Sequence, residues 1–422
     1  MTENYSGEYL SVKIRENWHY IGVNDRETRL FENMWPLENG VSYNSYLYTG
    51  EKTALLDTVK INKTSNFVEK LDSALGGRDL DYLVIHHMEP DHSGSITSVL
   101  DLYPNCKLVG NKKTKEFLEN FYELAEYGFD YENNFIEVAE GEKLDLGDTE
   151  LTFYLTPMVH WPESMVSYEE STKTLFSQDA FGAFGALSGA IFDDEINWEF
   201  YLDDTVRYYT NIIGKFSAQV RGALNKLSGL DIEMICPVHG PVWRENPGRI
   251  VKLYNQLAEQ ETQEGVAIVY GSMYGNTEKM AETIARQLAV RGVKNVKIYD
   301  VSKTHLSYLV SDIWRYEGLI LGSCTYNNSI FPLMNNLVET LRNQKMKNHT
   351  IGVFGSYSWG GGALKALKQF AEDSGYDKIE ATAEAKGTPS EKDYADCIEI
   401  GNQMADKIIE KRATQLTKML GM

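Results

Sequence analysis

Short runs of alternating apolar and polar residues occupy residues 9–57, and this period of two is typical of β-strands. Turn residues such as Asn39-Gly40 separate the runs. The predicted strands are Leu10 to Ile14, Trp18 to Val23, Tyr43 to Tyr48 and Thr53 to Asp57. The apolar residues Phe67, Leu71 and Leu75 then recur at four-residue spacing, which predicts a helix. Strand and helix patterns alternate from there, and the segments 203–226 and 248–261 are each predicted to be helical.

The second part of the chain has a different pattern, in which the predicted strands are continuously apolar. They are Val266 to Tyr270, Gly318 to Leu321 and Thr350 to Phe354, and helical patterns lie between them. Fully apolar strands that alternate with helices are typical of βαβ units. This pattern predicts a parallel, doubly wound sheet that binds its ligand outside the carboxyl ends of the strands.

The length of the chain indicates more than one domain, and the distribution of charge changes where the hydrophobic pattern changes. Its 422 residues indicate two or three domains, and its net charge of -20 argues against nucleic acid as a partner. Residues 1–261 carry 43 acidic and 22 basic side chains, whereas residues 262–422 carry 18 and 19. We therefore predict two domains, 1–261 and 262–422.

Two further features concern the cellular location. No apolar run approaches the roughly 20 residues of a membrane span. Because Met1 to Ser6 show no basic or apolar signal region, the chain is predicted to be cytoplasmic. The four cysteines lie far apart without a CxxC pair, which is typical of reduced thiols.

Metal-binding side chains are concentrated at the ends of four predicted strands. The first group follows the apolar run Tyr82 to Ile85, and one candidate follows each of three later strands. The candidate ligands are His87, Glu89, Asp91, His92, His160, Asp179 and His239. One strand-end histidine is usually structural, but four matching strand ends indicate a site. Seven ligands are more than one tetrahedral zinc ion can bind, and they suit two metal ions that share a bridging ligand. Oxygen and imidazole donors favour iron or manganese, although zinc is also compatible with them. We predict that the neighbouring His86 is structural and not a ligand.

Three glycine- and hydroxyl-rich loops follow the apolar strands of the second part. The first, Gly271 to Thr277, enters a helix N-terminus, where free N–H groups and the helix dipole favour a phosphate. Aromatic residues in the third loop can flank a planar ring, so the three loops together predict flavin mononucleotide (FMN). The candidate contacts are Ser272, Met273, Gly275, Asn276, Thr277, Ser323, Thr325, Tyr326, Asn327, Ser356, Tyr357, Trp359, Gly360 and Gly361.

With these motifs together, the chain resembles the flavodiiron proteins, also called A-type flavoproteins, in their minimal two-domain form. The run His87-Met88-Glu89-Pro90-Asp91-His92 matches the family's His-x-Glu-x-Asp-His motif, and the later ligands fall in the family's order. The resemblance implies a metallo-β-lactamase-like αββα sandwich followed by a flavodoxin-like doubly wound parallel sheet. It also implies one iron at His87, Glu89 and His160, another at Asp91, His92 and His239, and Asp179 as the bridge. Family members differ in whether the histidine at the His92 position binds the metal, and Tyr274 departs from the usual phosphate loop.

The resemblance implies a function as well. It is the reduction of dioxygen to water or of nitric oxide to nitrous oxide, with FMN and two iron ions as cofactors. Electrons would come from a separate donor, typically rubredoxin, and pass through FMN to the di-iron pair. Members of the family form head-to-tail homodimers or dimers of dimers, which is the expectation here.

Two other functions are compatible with parts of the sequence. One is a zinc hydrolase of the metallo-β-lactamase type fused to a flavin electron-transfer domain. Glu89 disfavours it, because hydrolases have a neutral imidazole at that position. The other is an electron-transfer module with a vestigial metal site, which the complete ligand set disfavours. The sequence leaves open the choice between oxygen and nitric oxide and the identity of the donor.

Overall fold

The computed structural model describes residues 10–419. Met1 to Ser6, on which the predicted lack of a signal region depends, lie outside the described residues. The chain divides into two compact units, the first ending at Ala258 and the second beginning at Glu259. Among the described residues, no helix is both long and apolar enough to span a membrane.

The first unit is built from short strands with helices between them. Its strands are β1 (Val12–Arg15), β2 (Trp18–Tyr20), β3 (Val23–Asp25), β4 (Leu30–Phe31), β5 (Trp35–Pro36), β6 (Val41–Tyr43), β7 (Tyr46–Thr49), β8 (Thr53–Leu56), β9 (Tyr82–Val84), β10 (Lys107–Gly110), β11 (Phe135–Glu137), β12 (Lys143–Asp145), β13 (Glu150–Leu155), β14 (Met165–Glu169), β15 (Thr174–Gln178) and β16 (Met234–Pro237). Its α-helices are α1 (Thr64–Leu75), α2 (Pro90–Ser93), α3 (Ile96–Leu102), α4 (Lys112–Tyr122), α5 (Tyr131–Asn134), α6 (Trp198–Tyr208), α7 (Ser217–Leu227) and α8 (Pro247–Ala258). A 3-10 turn at Ile61–Lys63 precedes α1.

Two sheets form the centre of this unit. One has seven strands in the order β1-β2-β7-β8-β9-β10-β11, and the other has five in the order β12-β13-β14-β15-β16. Aromatic side chains join their inner faces: the ring of Phe176 lies 4.4 Å from that of Trp18 and 5.5 Å from that of Tyr46. Each such ring removes roughly 150–250 Å² of surface from water, so these contacts supply much of the hydrophobic stabilisation between the sheets.

Segment 203–226 differs from the single helix predicted for it. Helix α6 ends at Tyr208, a π-helical turn follows at Tyr209–Ile213, then a 3-10 turn at Gly214–Phe216, and α7 begins after it. Glycine inside a helix costs about 1 kcal/mol relative to alanine, so Gly214 is a weak point in the predicted helix. The apolar period by itself does not reveal such an interruption.

The second unit contains one six-stranded sheet. Its elements are β17 (Gln263–Gly271), α9 (Asn276–Val290), β18 (Val296–Asp300), α10 (Leu306–Arg315), β19 (Tyr316–Tyr326), β20 (Ser329–Ile330), α11 (Pro332–Gln344), β21 (Thr350–Tyr357), α12 (Ala363–Ser374), β22 (Asp377–Lys386) and α13 (Glu391–Met419). The main path is β18-β17-β19-β21-β22, parallel throughout, and β20 pairs antiparallel with β19. The chain therefore reverses its direction of winding between β17 and β19, where doubly wound sheets bind ligands.

The loop after β16 is held in place by one buried amide. The Nδ2 group of Asn44 donates to the carbonyl oxygens of Pro237 and Gly240, both at 2.8 Å. Its Oδ1 atom accepts a hydrogen bond from Tyr20 at 3.0 Å, and its backbone N–H donates to the carbonyl of Val238 at 2.7 Å. Asn44 therefore determines the position of the segment that carries His239.

We predict that Asn44→Ala destabilises the first unit and weakens metal binding. The substitution leaves the buried carbonyl of Gly240 without this donor and the hydroxyl of Tyr20 without this acceptor, at a cost of about 1–3 kcal/mol for each. The carbonyl of Pro237 keeps a hydrogen bond from Tyr46 at 2.7 Å. The unfolding temperature of the metal-free protein should fall, and metal should be lost at lower chelator concentration. Asn255→Ala, which removes an exposed amide bonded to Val251 in α8, is the matched control. Equal effects of the two variants would contradict the assigned role.

Candidate metal centre and flavin site

The first cluster of the site joins two imidazoles and two carboxylates. His87, Glu89, His160 and Asp179 each offer a ligand atom, and these atoms lie within 4.8 Å of one another. Nε2 of His160 is 3.0 Å from Oε2 of Glu89. Nε2 of both histidines is 3.3 Å from Oδ2 of Asp179. All four side chains are buried.

The second cluster consists of Asp91, His92 and His239. Asp179 of the first cluster also contacts it. Nε2 of His239 lies 3.2 Å from Oδ2 of Asp91 and 3.3 Å from Oδ1 of Asp179. His92 is more distant, with Nε2 3.7 Å from the same Asp179 oxygen. The two carboxylate oxygens of Asp179 therefore face different clusters, as a bridging ligand requires.

Several atoms at this centre lack hydrogen-bond partners although they are buried. They are both carboxylate oxygens of Asp91, Oδ2 of Asp179, Nε2 of His239 and both ring nitrogens of His92. Unpaired buried polar atoms are costly, and within each cluster every residue offers one ligand atom that lies within 4.8 Å of the others. The donor set of imidazole and carboxylate suits iron and excludes metals that require sulfur ligands. The residues present therefore fit a pair of metal ions.

In the metal-free protein, protons take the place of the cations. Burial opposes protonation of His87, but hydrogen bonds from its ring to Glu163 and Glu89 outweigh burial and raise its pKa to about 10. The pKa of His239 is also about 10, because its close contacts with the carboxylates of Asp179 and Asp91 outweigh burial. In return, burial of Asp179 is overcome by the charge of His92 and by close contacts with His160 and His239, so its pKa lies well below the usual range.

A second set of side chains orients these ligands. Nδ1 of His87 is 2.5 Å from Oε1 of Glu163, and Nδ1 of His239 is 2.8 Å from the carbonyl oxygen of Ser42. The hydroxyl of Tyr208 donates to Oδ1 of Asp179 at 2.8 Å. The sequence analysis missed Glu163 and Tyr208. The position of Glu163, three residues after His160, is a usable signal, whereas nothing local marks Tyr208.

His86 is occupied elsewhere. Its Nδ1 atom lies 2.7 Å from Oδ2 of Asp57, and its Nε2 atom lies 2.8 Å from the hydroxyl oxygen of Ser167. Both ring nitrogens are therefore engaged away from the two clusters, so His86 braces the loop after β9.

The three loops of the second unit meet at the carboxyl ends of β17, β19 and β21. The hydroxyls of Thr277 and Ser356 are 2.9 Å apart, which links the first loop to the third. The backbone N–H of Ala363 donates to the hydroxyl of Thr325 at 3.3 Å, which links the third loop to the second. Gly275, at the N-terminus of α9, has a φ of +83° that favours glycine.

The predicted flavin contacts differ in exposure. Trp359 is 91% exposed, Tyr326 44% and Met273 41%, whereas Thr277, Ser323 and Ser356 are buried. The remaining candidates lie on the same three loops: Ser272, Gly275, Asn276, Thr325, Asn327, Tyr357, Gly360 and Gly361. Exposed aromatic faces beside a helix N-terminus at the switch point of the sheet fit a phosphorylated ring system such as FMN.

Comparison with known proteins supports both units. Residues 41–240 match the family model described as ODP family beta lactamase, and residues 268–401 match the flavodoxin model. The rubredoxin oxygen:oxidoreductase of Desulfovibrio gigas is similar over 96% of this chain and 100% of its own, with 31% identity and a TM-score of 0.90. A flavo di-iron protein variant from Thermotoga maritima has 26% identity over 94% of this chain and 98% of its own, with a TM-score of 0.85.

This chain belongs to the flavodiiron protein family. An anaerobic nitric oxide reductase flavorubredoxin from Escherichia coli O1:K1 is 33% identical over 401 residues, which cover 94% of this chain and 82% of the relative. The predicted fold is confirmed: a metallo-β-lactamase-like unit precedes a flavodoxin-like unit with a parallel sheet. Membership of this family and the fit of the two sites identify FMN and two iron ions as the cofactors of this flavodiiron protein.

We predict that metal binding to the metal-free protein releases protons. The histidine pKa values of about 10 lie above neutrality, so His87 and His239 are protonated at pH 7, and a metal ligand must be neutral. The apparent affinity should therefore rise as pH increases from neutrality towards about 10. Anaerobic calorimetry of Fe²⁺ binding in buffers with different ionisation enthalpies measures the released protons. Binding heats that do not depend on the buffer would contradict the prediction.

Proposed function

We propose that this chain is an oxidoreductase that reduces dioxygen to water, nitric oxide to nitrous oxide, or both. The names of its relatives support this proposal, since one is an anaerobic nitric oxide reductase and another is a rubredoxin oxygen:oxidoreductase. When bound, FMN supplies electrons and the iron pair supplies binding positions for a diatomic gas. The two gases require the same ligands.

The observation that carries this proposal is the placement of Asp179. Its two oxygens face separate clusters, which holds two metal positions close enough to share one substrate. We propose that His87, Glu89 and His160 hold one iron, that Asp91, His92 and His239 hold the other, and that Asp179 bridges them. The clustering of these atoms supports this assignment.

The zinc hydrolase alternative has less support. Oε2 of Glu89 lies 3.0 Å from Nε2 of His160, so the first position receives a carboxylate of its own in addition to Asp179. Hard anionic ligands favour iron. The relatives named above are oxidoreductases, and their similarity extends through the flavin-binding unit.

The partners and organisation follow the family. We propose a rubredoxin-like electron donor, which the name of the Desulfovibrio gigas relative supports. We also propose a cytoplasmic homodimer or dimer of dimers, and domains of 1–261 and 262–422, with the three residues before 262 included in the compact second unit. The fourteen loop residues named above are the proposed FMN contacts, and the hydrogen bonds between their loops support this proposal.

We predict that Asp179→Ala abolishes gas reduction and leaves FMN bound. The substitution removes the shared carboxylate, and no loop of the second unit is altered. The measurement is anaerobic reduction of the purified protein, followed by consumption of each gas with the same donor. Asp194→Ala, which removes a peripheral ion pair with Arg244, is the matched control and should retain activity. If the unmodified protein consumes neither gas, or if Asp179→Ala consumes them normally, the proposal is wrong.

We also predict that a fragment of residues 259–422 binds FMN and accepts electrons but does not consume either gas. The fragment has its own core, and it begins at 259 because Gln260 accepts a hydrogen bond from the backbone N–H of Lys347 at 2.5 Å. Flavin absorbance during anaerobic reduction and gas consumption are the two measurements. Rapid consumption of nitric oxide by this fragment would contradict the assignment of the gas site to the first unit.

A further inference from the structure

Glu163 is a buried carboxylate in contact with a proposed metal ligand. Its side chain is 1% exposed, and Oε1 lies 2.5 Å from Nδ1 of His87. The same oxygen accepts a hydrogen bond from the backbone N–H of Met88 at 2.9 Å. When Nδ1 of His87 carries a proton that is donated to Glu163, its Nε2 atom is left free to face Glu89 and Asp179.

The opposite cluster has a neutral group in the equivalent place. Nδ1 of His239 is paired with the carbonyl oxygen of Ser42 at 2.8 Å. A backbone carbonyl orients the ring but adds no formal charge, whereas a carboxylate also raises the basicity of the imidazole. His87 and His239 therefore differ in the charge behind them.

Asp179 adds to this difference. Its Oδ1 atom, which faces His239, accepts a hydrogen bond from Tyr208 at 2.8 Å, while its Oδ2 atom, which faces His87, has no hydrogen-bond partner. A donated hydrogen bond withdraws electron density from the oxygen that accepts it. The shared ligand is thus a stronger donor towards the cluster of His87 than towards the cluster of His239.

We infer that Glu163 is a positioning residue that makes the two iron positions electronically unequal. It fixes His87 with Nε2 towards the metal, and its charge stabilises the ferric state at the position of His87, Glu89 and His160. That position is consequently the harder of the two to reduce, and the position of Asp91 and His239 is the first to become ferrous. This inference rests on the ligand assignment in the proposed function.

A bracing role has a different signature. Glu163 also holds the backbone, since it accepts the N–H of Met88 and its own carbonyl accepts a hydrogen bond from Asn111 at 2.5 Å. Loss of a brace lowers stability and metal retention without a selective effect on one metal. A change in the separation of the two reduction potentials therefore distinguishes electronic positioning from bracing.

The test is Glu163→Gln in the full-length holoprotein. Glutamine can still accept the hydrogen bond of His87 but carries no charge. We expect the ferric preference of one position to fall about tenfold, which equals roughly 59 mV for a one-electron couple. Anaerobic redox titration, with electron paramagnetic resonance of the mixed-valence state, should show the lower potential rising towards the higher one.

Glu169→Gln is the matched control. Glu169 is equally buried in the same unit, and it accepts hydrogen bonds from Trp18 at 3.1 Å and Thr149 at 2.7 Å. It touches neither cluster of proposed ligands, so its neutralisation should leave the potentials in place. Unchanged potentials in Glu163→Gln, or an equal shift in Glu169→Gln, would overturn the inference.

A second measurement uses the unmodified protein and tests the hydrogen bond on which the inference depends, so it remains possible if Glu163→Gln does not fold. With isotopically labelled histidine and zinc in place of iron, nuclear magnetic resonance should show one strongly downfield Nδ1–H proton, from His87. Its absence would overturn the inference. Neither measurement requires gas turnover, so the inference and the proposed reaction can fail independently.

Discussion

The structure depends on the crowding of carboxylates in a space that excludes water. Glu89, Asp91 and Asp179 converge with histidine side chains, and burial of an ionised carboxylate is costly unless a cation or a hydrogen bond compensates it. Imidazolium groups provide that compensation in the metal-free protein, and metal ions provide it in the loaded protein. Metal ions and protons therefore compete for the same buried groups of the first unit, and metal binding is linked to protonation.

The scaffold makes this crowding possible because it delivers each ligand at a strand end. Strand β15 pairs parallel with β16, and β14 pairs antiparallel with both β13 and β15, so β13, β15 and β16 end at the same edge of their sheet. The group from His87 to His92 follows β9 of the other sheet. The loops at these edges are then fixed from behind by groups that are not ligands. Asn44 fixes the loop of His239, and Glu163 fixes His87. These contacts hold the charged groups together before any metal arrives.

The sequence predicts those features of the site that depend on neighbouring residues in the chain. It does not predict hydrogen bonds between residues that are distant in the chain. The spacing of His87, Glu89 and Asp91 after an apolar run is a local feature that indicates a metal site. The βαβ pattern of the second part is a local feature that indicates a doubly wound sheet. The role of Tyr208, at the end of α6, depends on its hydrogen bond to Asp179, 29 residues away in the chain. The link between Thr277 and Ser356 spans 79 residues. Periodicity carries no information about such pairs, because they arise when separate elements pack.

The arrangement of the ligands also limits what can distinguish the two metal positions. In the proposed assignment each has a carboxylate of its own and a share of Asp179, so the formal charge of the direct ligands is the same on both sides. A difference in electron affinity must therefore come from groups behind the ligands. Here those groups are unequal, because a carboxylate supports His87 and a carbonyl supports His239. The proposed bridge, Asp179, has two equivalent oxygens, but the groups around it are unequal. In our inference this inequality determines which of the two iron positions is reduced first.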